Sequence, residues 1–157
     1  MTDGQAADRR AVITREIMEE TGIDEVLIER LVRTFYGRIQ QHDVLGPIFA
    51  AKISDWESHI VKLCAFWSSV TLMTGRYHGR PMQKHVDLPI DGSHFDAWLN
   101  LFEATAIEVC PPKAASYFID RARRIADSLE MGIATLHGRI YSPRHSTKEP
   151  AAIAAQS

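Results

Sequence analysis

His85 lies in a short segment enclosed by two prolines, and its side chain is a candidate metal ligand. Pro81 favours the first turn of a helix, where its missing N–H would have no partner. Pro89 disfavours helical geometry at the residue before it, so a helix between the prolines has room for about two turns. A histidine near the middle of so short an element points in a narrow range of directions, as a metal ligand must. Taken by itself, the segment fits a histidine in a surface loop better.

Three more polar side chains are predicted to lie on or beside apolar helix faces, namely Tyr36, His59 and Trp98. His59 follows Trp56 by three residues and precedes Leu63 by four, which is the spacing of one helix face. Taken singly, the two aromatic residues fit an ordinary core, and the histidine fits a core histidine bonded to a backbone carbonyl equally well. Together they would give an apolar interior three polar groups, which is typical of a ligand site.

The hydrophobic pattern is helical almost throughout, and no segment alternates as a strand does. We expect residues 1–7 to be disordered, residues 43–49 to form a break, and residues 75–90 to form a loop and the short helix around His85. The main helices are predicted at 8–21, 24–41, 54–74, 91–109 and 112–132, the last with an extension to 136 as an alternative. Asp24, either Ser54 or Asp55, and either Asp91 or Ser93 are the predicted N-caps.

A chain of 157 residues is long enough to form one domain with a full apolar core. We expect an N-terminal extension or short leading helix at 1–22, the main helical domain at 23–141, and a flexible C-terminal tail at 142–157. The two prolines at 143 and 150 and the polar composition around them favour a loose tail.

The charge and the cysteines limit the class of protein. A formal net charge of −2 gives no electrostatic reason to expect nucleic acid or an anionic membrane as a partner. The two cysteines, Cys64 and Cys110, form no C-x-x-C motif and are predicted to be buried free thiols of a reducing compartment. Since we find neither a secretory signal nor an apolar run of about 20 residues, we expect a cytoplasmic protein, either a monomer or a weak oligomer.

Five blocks of the sequence resemble the group III truncated haemoglobins. They span about residues 31–133, in the order and at the spacing of that family. The specific block is Tyr77-x-Gly79-x-Pro81-x-x-x-His85-x-x-Leu88-Pro89. The other blocks are Phe35-Tyr36, Leu45-Gly46-Pro47-Ile48-Phe49, Trp56 with His59 and Phe66-Trp67, and His94-Phe95 with Trp98 and Phe102.

The resemblance implies an all-α fold, a truncated globin in which four main helices form a two-over-two sandwich and a short proximal helix carries His85. It also implies a haem b group, which would be held non-covalently because the chain has no C-x-x-C-H motif. His85 would be the proximal ligand of the haem iron. Tyr36, His59 and Trp98 would line the distal pocket, and the apolar wall around the haem would comprise Phe49, Leu63, Phe66, Trp67 and Trp98.

The chemistry of these residues agrees with the implied roles. Tyr36 and Trp98 are donors that could stabilise negative charge on the outer atom of a dioxygen ligand. His59 could donate as well, act as a gate, or bind the iron itself. The second ring nitrogen of His85 should donate to a carbonyl, either that of Pro81 or one in a loop. Candidate cations for the haem propionates, each also explained as a solvated surface charge, are Lys62, Arg76, Arg80 and Lys84.

The implied function is reversible binding of small gas ligands, namely O2, NO and CO, in a polar distal pocket. Because strong donors imply slow dioxygen release, redox chemistry of NO and O2 or sensing fits better than bulk oxygen transport. An NO dioxygenase-like or peroxidase-like activity would need a reductase, which the sequence does not identify. The alternative is a cofactor-free helical interaction or regulatory module, in which the aromatic residues are core and His85 is incidental.

Overall fold

The computed structural model describes residues 3–85 and 88–138, and this part of the chain contains seven helices and no strand. The predicted all-α class is therefore confirmed. The helices are α1 (Asp3–Thr21), α2 (Glu25–Gln40), α3 (Leu45–Lys52), α4 (Trp56–Leu72), α5 (Pro81–His85), α6 (Gly92–Val109) and α7 (Pro112–Leu136). None of them combines the length and apolar composition needed to cross a membrane.

Four long helices form the two-over-two frame that was predicted. Helix α2 packs against α4 and α6, and α7 packs against α6 and α4. Helix α1 lies against α4 and α7, α3 against α2 and α6, and the short α5 against α7. The core of this frame includes four fully buried aromatic side chains, and their rings pack at centroid distances of 5.1–6.0 Å: Phe35, Trp67, Phe102 and Phe118.

Aspartate side chains begin three of the long helices, because each carboxylate accepts a backbone N–H that has no partner within the helix. Asp24 accepts from the Leu27 amide at 2.8 Å, as predicted. Where the sequence left two candidates, the capping side chains are Asp55 at α4 and Asp91 at α6. Helix α6 also has a capping box, in which the Asp91 amide donates to His94 Nδ1 at 3.0 Å.

The chain termini differ from the prediction. Helix α1 begins at Asp3, so the predicted disorder of residues 1–7 is wrong from Asp3 onward. The Thr14 hydroxyl donates to the Leu72 carbonyl at 2.6 Å, which attaches α1 to the end of α4. Helix α7 reaches Leu136, the longer of the two alternatives. The predicted tail at 142–157 lies outside the described residues.

The segment 43–49 follows the end of α2, so the predicted interruption is confirmed, but the helix α3 that begins within it at Leu45 was not predicted. Pro47 is the third residue of α3, where a backbone N–H would have no intrahelical partner, so the proline costs the helix no hydrogen bond. His42 supplies the cap: its Nδ1 accepts from the amides of Val44 and Leu45, each at 3.1 Å. Sequence patterns for caps favour serine, threonine, asparagine and aspartate, which is why this start was missed.

Helix α4 ends at Leu72, two residues before the predicted end at Thr74. Met73 takes the left-handed conformation at φ 60°, an uncommon one for a residue other than glycine, and it terminates the helix. Gly75 follows at φ 72°, where glycine carries no such penalty. These two residues redirect the chain into the loop that leads to α5.

Both cysteines are free thiols, as predicted. Cys110 is buried, and its burial raises the pKa of the thiol to about 11. Cys64 is only partly buried, and burial again raises its pKa. Neither thiol is poised as a thiolate at neutral pH.

Candidate functional site

One cavity of about 380 Å³ lies between the main helices, and its walls come from α2 through α7. This volume falls within the range of small-molecule sites, roughly 300–1,000 Å³. All eight residues that the sequence singled out for a site line the cavity: Tyr36, Phe49, His59, Leu63, Phe66, Trp67, His85 and Trp98. Residues from distant parts of the sequence are therefore brought to one place.

His85 enters the cavity from α5. Its Nδ1 lies 2.6 Å from the Pro81 carbonyl oxygen, one helical turn back. Because a carbonyl oxygen can only accept, Nδ1 carries the proton in this bond, and it is Nε2 of the neutral imidazole that has the lone pair for a ligand. Of the two carbonyls that the sequence allowed, that of Pro81 is the partner.

Helix α5 is described over the five residues Pro81–His85, which form its first turn. The second of the two predicted turns falls on residues outside the described part of the chain. The two residues that follow, 86 and 87, lie outside the described part of the chain. Five residues form little more than one turn, and a single turn has almost no stability of its own. The direction of the His85 ring must therefore be set by the segments that α5 contacts.

Tyr36 is 4% exposed and is held by surrounding rings. Its ring is edge-on to Phe35 at 4.7 Å between centroids and lies 5.9 Å from that of Phe49. Burial raises the pKa of Tyr36 well above its ordinary value, and a hydrogen bond with Trp98 acts in the opposite direction. The hydroxyl therefore remains protonated at neutral pH and stays a donor.

Trp98 lies on α6, and its indole N–H can only donate. Trp98 lowers the pKa of Tyr36, as a donor facing the tyrosine oxygen does. The indole is stacked on Phe102 at 5.4 Å and is edge-on to Phe35 at 5.3 Å, which restricts its rotation. Because the indole N–H cannot accept a hydrogen bond, the Tyr36 O–H proton is not donated to Trp98 and can be donated to a ligand in the cavity.

His59 is the third polar group and is half-buried. Its ring lies edge-on to Tyr36 at 6.3 Å and to Trp56 at 5.8 Å. Burial lowers the pKa of His59, and the positive charges of Lys62 and Lys84 lower it further. The imidazole is therefore neutral at neutral pH and can serve as donor or acceptor.

Two of the four predicted cations reach the cavity. Lys62 and Lys84 line it, whereas Arg76 instead forms an ion pair with Glu25 at 2.7 Å and Arg80 is exposed and is not a lining residue. Lys52, the last residue of α3, also lines the cavity and was not among the predicted cations. The cavity thus has lysines from three separate elements, α3, α4 and α5.

The wall that α7 contributes was not predicted from the sequence. Ile125, Ala126 and Leu129 line the cavity from the last helix, which the sequence showed only as an amphipathic helix. The spacing of Ile125 and Leu129, one turn apart, was the available signal, but it is equally typical of a core face. Tyr77 lines the cavity as well, and it was quoted as part of a motif without a role of its own.

Comparisons with known proteins agree on the family. The family model of the bacterial-like globins matches residues 16–130. The chain is 33% identical over 113 residues to Group 3 truncated hemoglobin ctb of Campylobacter jejuni, covering 69% of this chain and 89% of that relative. It is 31% identical over 80 residues to Group 2 truncated hemoglobin YjbI of Bacillus subtilis, covering 50% of this chain and 61% of that one.

A solved structure agrees at the level of the fold. The crystal structure of the group III truncated hemoglobin from Campylobacter jejuni superposes with a TM-score of 0.67 at 32% sequence identity. The match covers 71% of this chain and 91% of the solved chain. Sequence and fold therefore point to the same group of relatives.

Proposed function

The chain belongs to the bacterial-like globin family as a truncated haemoglobin of group III, and on that premise we propose that it holds a haem b group non-covalently, with His85 as the proximal ligand, and binds diatomic gases beside Tyr36. The observation that carries this proposal is the juxtaposition in one cavity of a histidine whose Nδ1 is already bonded and a tyrosine hydroxyl whose proton is available.

The donor set fits a haem. The cavity is walled mainly by apolar and aromatic side chains, as a flat macrocycle requires, and Nε2 of His85 is the kind of ligand that globins present to iron. Lysines 52, 62 and 84 line the cavity and are suited to pair with propionates. When bound, haem would supply an iron atom that takes a diatomic ligand.

Tyr36 and Trp98 act in sequence. We propose that Trp98 donates to the Tyr36 oxygen, in line with its lowering of the Tyr36 pKa, and that this bond holds the hydroxyl in place and polarises its O–H bond. Tyr36 then donates to the ligand in the cavity. A donor fixed before the ligand arrives stabilises developing negative charge without reorganisation. Dioxygen, whose outer atom carries partial negative charge, should therefore be released slowly, whereas carbon monoxide gains little.

Slow release of dioxygen favours a reaction of the bound gas over bulk oxygen transport. We therefore propose reaction of dioxygen with nitric oxide, a peroxidase-like reaction, or sensing, in the reducing environment that two free thiols suit. The redox reactions require an electron donor, for which a separate reductase is proposed. Residues 23–141 would form the globin domain, preceded by the leading helix.

Haemin titration of the purified protein tests the proposal. We expect binding at one haem per chain with a strong Soret band, and distinct absorption spectra of the ferric, ferrous and carbonyl forms. Because haem binds the folded chain, the haem-loaded protein should melt at a higher temperature than the haem-free chain. A stable, helical chain that stays colourless and rejects haemin would instead support the cofactor-free interaction module.

His59 is proposed to act as a gate, because its half-buried ring lies beside Tyr36 and is neutral. In His59→Ala the ring is removed, so dioxygen and carbon monoxide should both associate faster, and by similar factors. Dioxygen release should change less than in a variant that removes the Tyr36 hydroxyl. Flash photolysis measures both association rates, and a change confined to dioxygen release would show that His59 is a donor.

A further inference from the structure

The loop between α4 and α5 is anchored at Tyr77. The Tyr77 backbone amide donates to Ser69 Oγ at 2.8 Å, which attaches the loop to α4. The Tyr77 ring is edge-on to Phe66, with ring centroids 5.2 Å apart and planes at 89°. The ring is half-buried and lines the cavity, so this loop residue is fixed by both its backbone and its side chain.

The Tyr77 ring occupies the space that a side chain at position 79 would need. A Cβ atom built on Gly79 would lie 2.2 Å from the Tyr77 hydroxyl oxygen and 2.4 Å from the ring carbon Cζ. Gly79 does not take the left-handed backbone conformation, so its backbone does not require glycine. A side chain at position 79 would therefore require the Tyr77 ring to move from its place.

This contact lies close in sequence to the hydrogen bond that orients the proximal histidine. Gly79 is two residues before Pro81, whose carbonyl accepts from His85 Nδ1 at 2.6 Å. The Pro81 carbonyl belongs to the first residue of α5, directly after the loop, and the described single turn Pro81–His85 adds little stability of its own. Where the Pro81 carbonyl lies therefore depends on the loop that leads to it.

We propose that Tyr77 is a positioning residue for His85. The Tyr77 ring packs against Gly79, where there is no side chain, and so fixes the loop. The loop in turn fixes the position of the Pro81 carbonyl. That carbonyl orients the His85 imidazole and sets the strength of its Nδ1 hydrogen bond. A stronger Nδ1 hydrogen bond makes Nε2 a better ligand. This inference rests on the proposed function in so far as His85 binds the haem iron.

A double-mutant cycle on the ring and the glycine tests the inference. In the otherwise wild-type chain, Gly79→Ala should displace the Tyr77 ring, shift and broaden the iron–histidine stretching band of the ferrous protein, and speed haem transfer to an acceptor apoprotein. We expect about a ten-fold faster transfer, equivalent to about 1.4 kcal/mol. Tyr77→Ala should give a similar shift. Adding Gly79→Ala to Tyr77→Ala should then change neither measurement further, because the ring is gone.

Two control variants accompany the double-mutant cycle. Gly37→Ala in α2 adds a methyl group that meets nothing within 4 Å, so it should leave the band and the transfer rate unchanged. Tyr77→Phe retains the ring and its contact with Phe66, so it should keep the wild-type band. A merely structural role would lower the melting temperature without moving the band.

The outcomes separate the two proposals. Additive effects of Gly79→Ala and Tyr77→Ala, or a wild-type band in both single variants, would overturn the positioning role. If the wild-type chain takes up no haem, the proposed function fails. The ring–glycine contact is then tested by the melting temperature of the apoprotein, which Gly79→Ala should lower in the wild-type background and leave unchanged in Tyr77→Ala.

Discussion

The His85→Ala variant is expected to lose stable haem while most of its helices remain formed. His85 combines a cavity-lining position with an Nδ1 already bonded to Pro81, which leaves Nε2 for iron. His94 also lines the cavity, but its Nδ1 accepts the Asp91 amide in the capping box of α6. We expect haem affinity to fall by at least about a factor of ten, equivalent to about 1.4 kcal/mol. Haem titration followed at the Soret band measures this loss.

A matched control separates the loss of a ligand from the loss of any histidine. His78 is exposed in the same loop and does not line the cavity, so His78→Ala should retain wild-type haem affinity. The melting temperature of His85→Ala in the presence of haemin should move toward that of the haem-free chain, since a ligand at 100 times its Kd stabilises by about 2.7 kcal/mol. Unchanged occupancy together with an unchanged ferrous spectrum would refute the assignment of His85.

The Tyr36→Phe variant is expected to release dioxygen about ten-fold faster, or more. The change removes one hydroxyl and leaves the ring, its contacts with Phe35 and Phe49 and nearly all of its volume. A hydrogen bond to a charged group contributes roughly 1.5–3 kcal/mol, and about 1.4 kcal/mol corresponds to a factor of ten. Carbon monoxide carries little charge on its outer atom, so its release should change far less. Stopped-flow replacement of each ligand measures the two rates.

The pH dependence provides a second test of Tyr36 as donor. A raised pKa means that the proton leaves only at a pH above the ordinary value of about 10, so the donor is intact at every lower pH. Wild-type dioxygen release should therefore show no step assignable to Tyr36 between about pH 6 and pH 9. Equal changes for both gases in Tyr36→Phe, or no faster dioxygen release, would mean that Tyr36 is not the donor.

The Trp98→Phe variant tests the proposed hydrogen bond from the Trp98 indole to the Tyr36 hydroxyl. Removing the indole N–H removes the proposed donor to the Tyr36 oxygen, so dioxygen release should quicken even though Trp98 need not touch the ligand. The smaller ring also opens space, and that part of the effect should appear equally for carbon monoxide.

The fold was largely predictable because apolar residues repeat at helical spacing in the long helices. Asp24 is a cap of the common kind, and α2 begins beside it as predicted. Helix α3 was missed because its cap is the ring of His42 and its third residue is a proline, two features that sequence patterns assign to a break. The start of α1 was missed because residues 3–7 carry no apolar stripe.

The polar members of the cavity were partly predictable, because a helix with an apolar face must place a polar residue on that face in the interior, whereas its apolar wall of Phe49, Leu63, Phe66 and Trp67 was implied only by the family resemblance. His59 and Trp98 follow this rule, and the structure places both in the cavity wall. The arrangement within the cavity was not predictable. Whether Trp98 donates to a ligand or to Tyr36, and how the Tyr77 ring fits over Gly79, depend on distances between elements that no sequence spacing specifies.

The iron–histidine stretching band of the ferrous, ligand-free protein tests the central claim most directly. We predict a resonance Raman band in this region for the wild-type protein, its absence from His85→Gly, and the return of a band when imidazole is added to that variant and fills the vacated space. A wild-type chain that takes up haem without such a band, or a His85→Gly variant that shows the wild-type band without added imidazole, would contradict His85 as the proximal ligand.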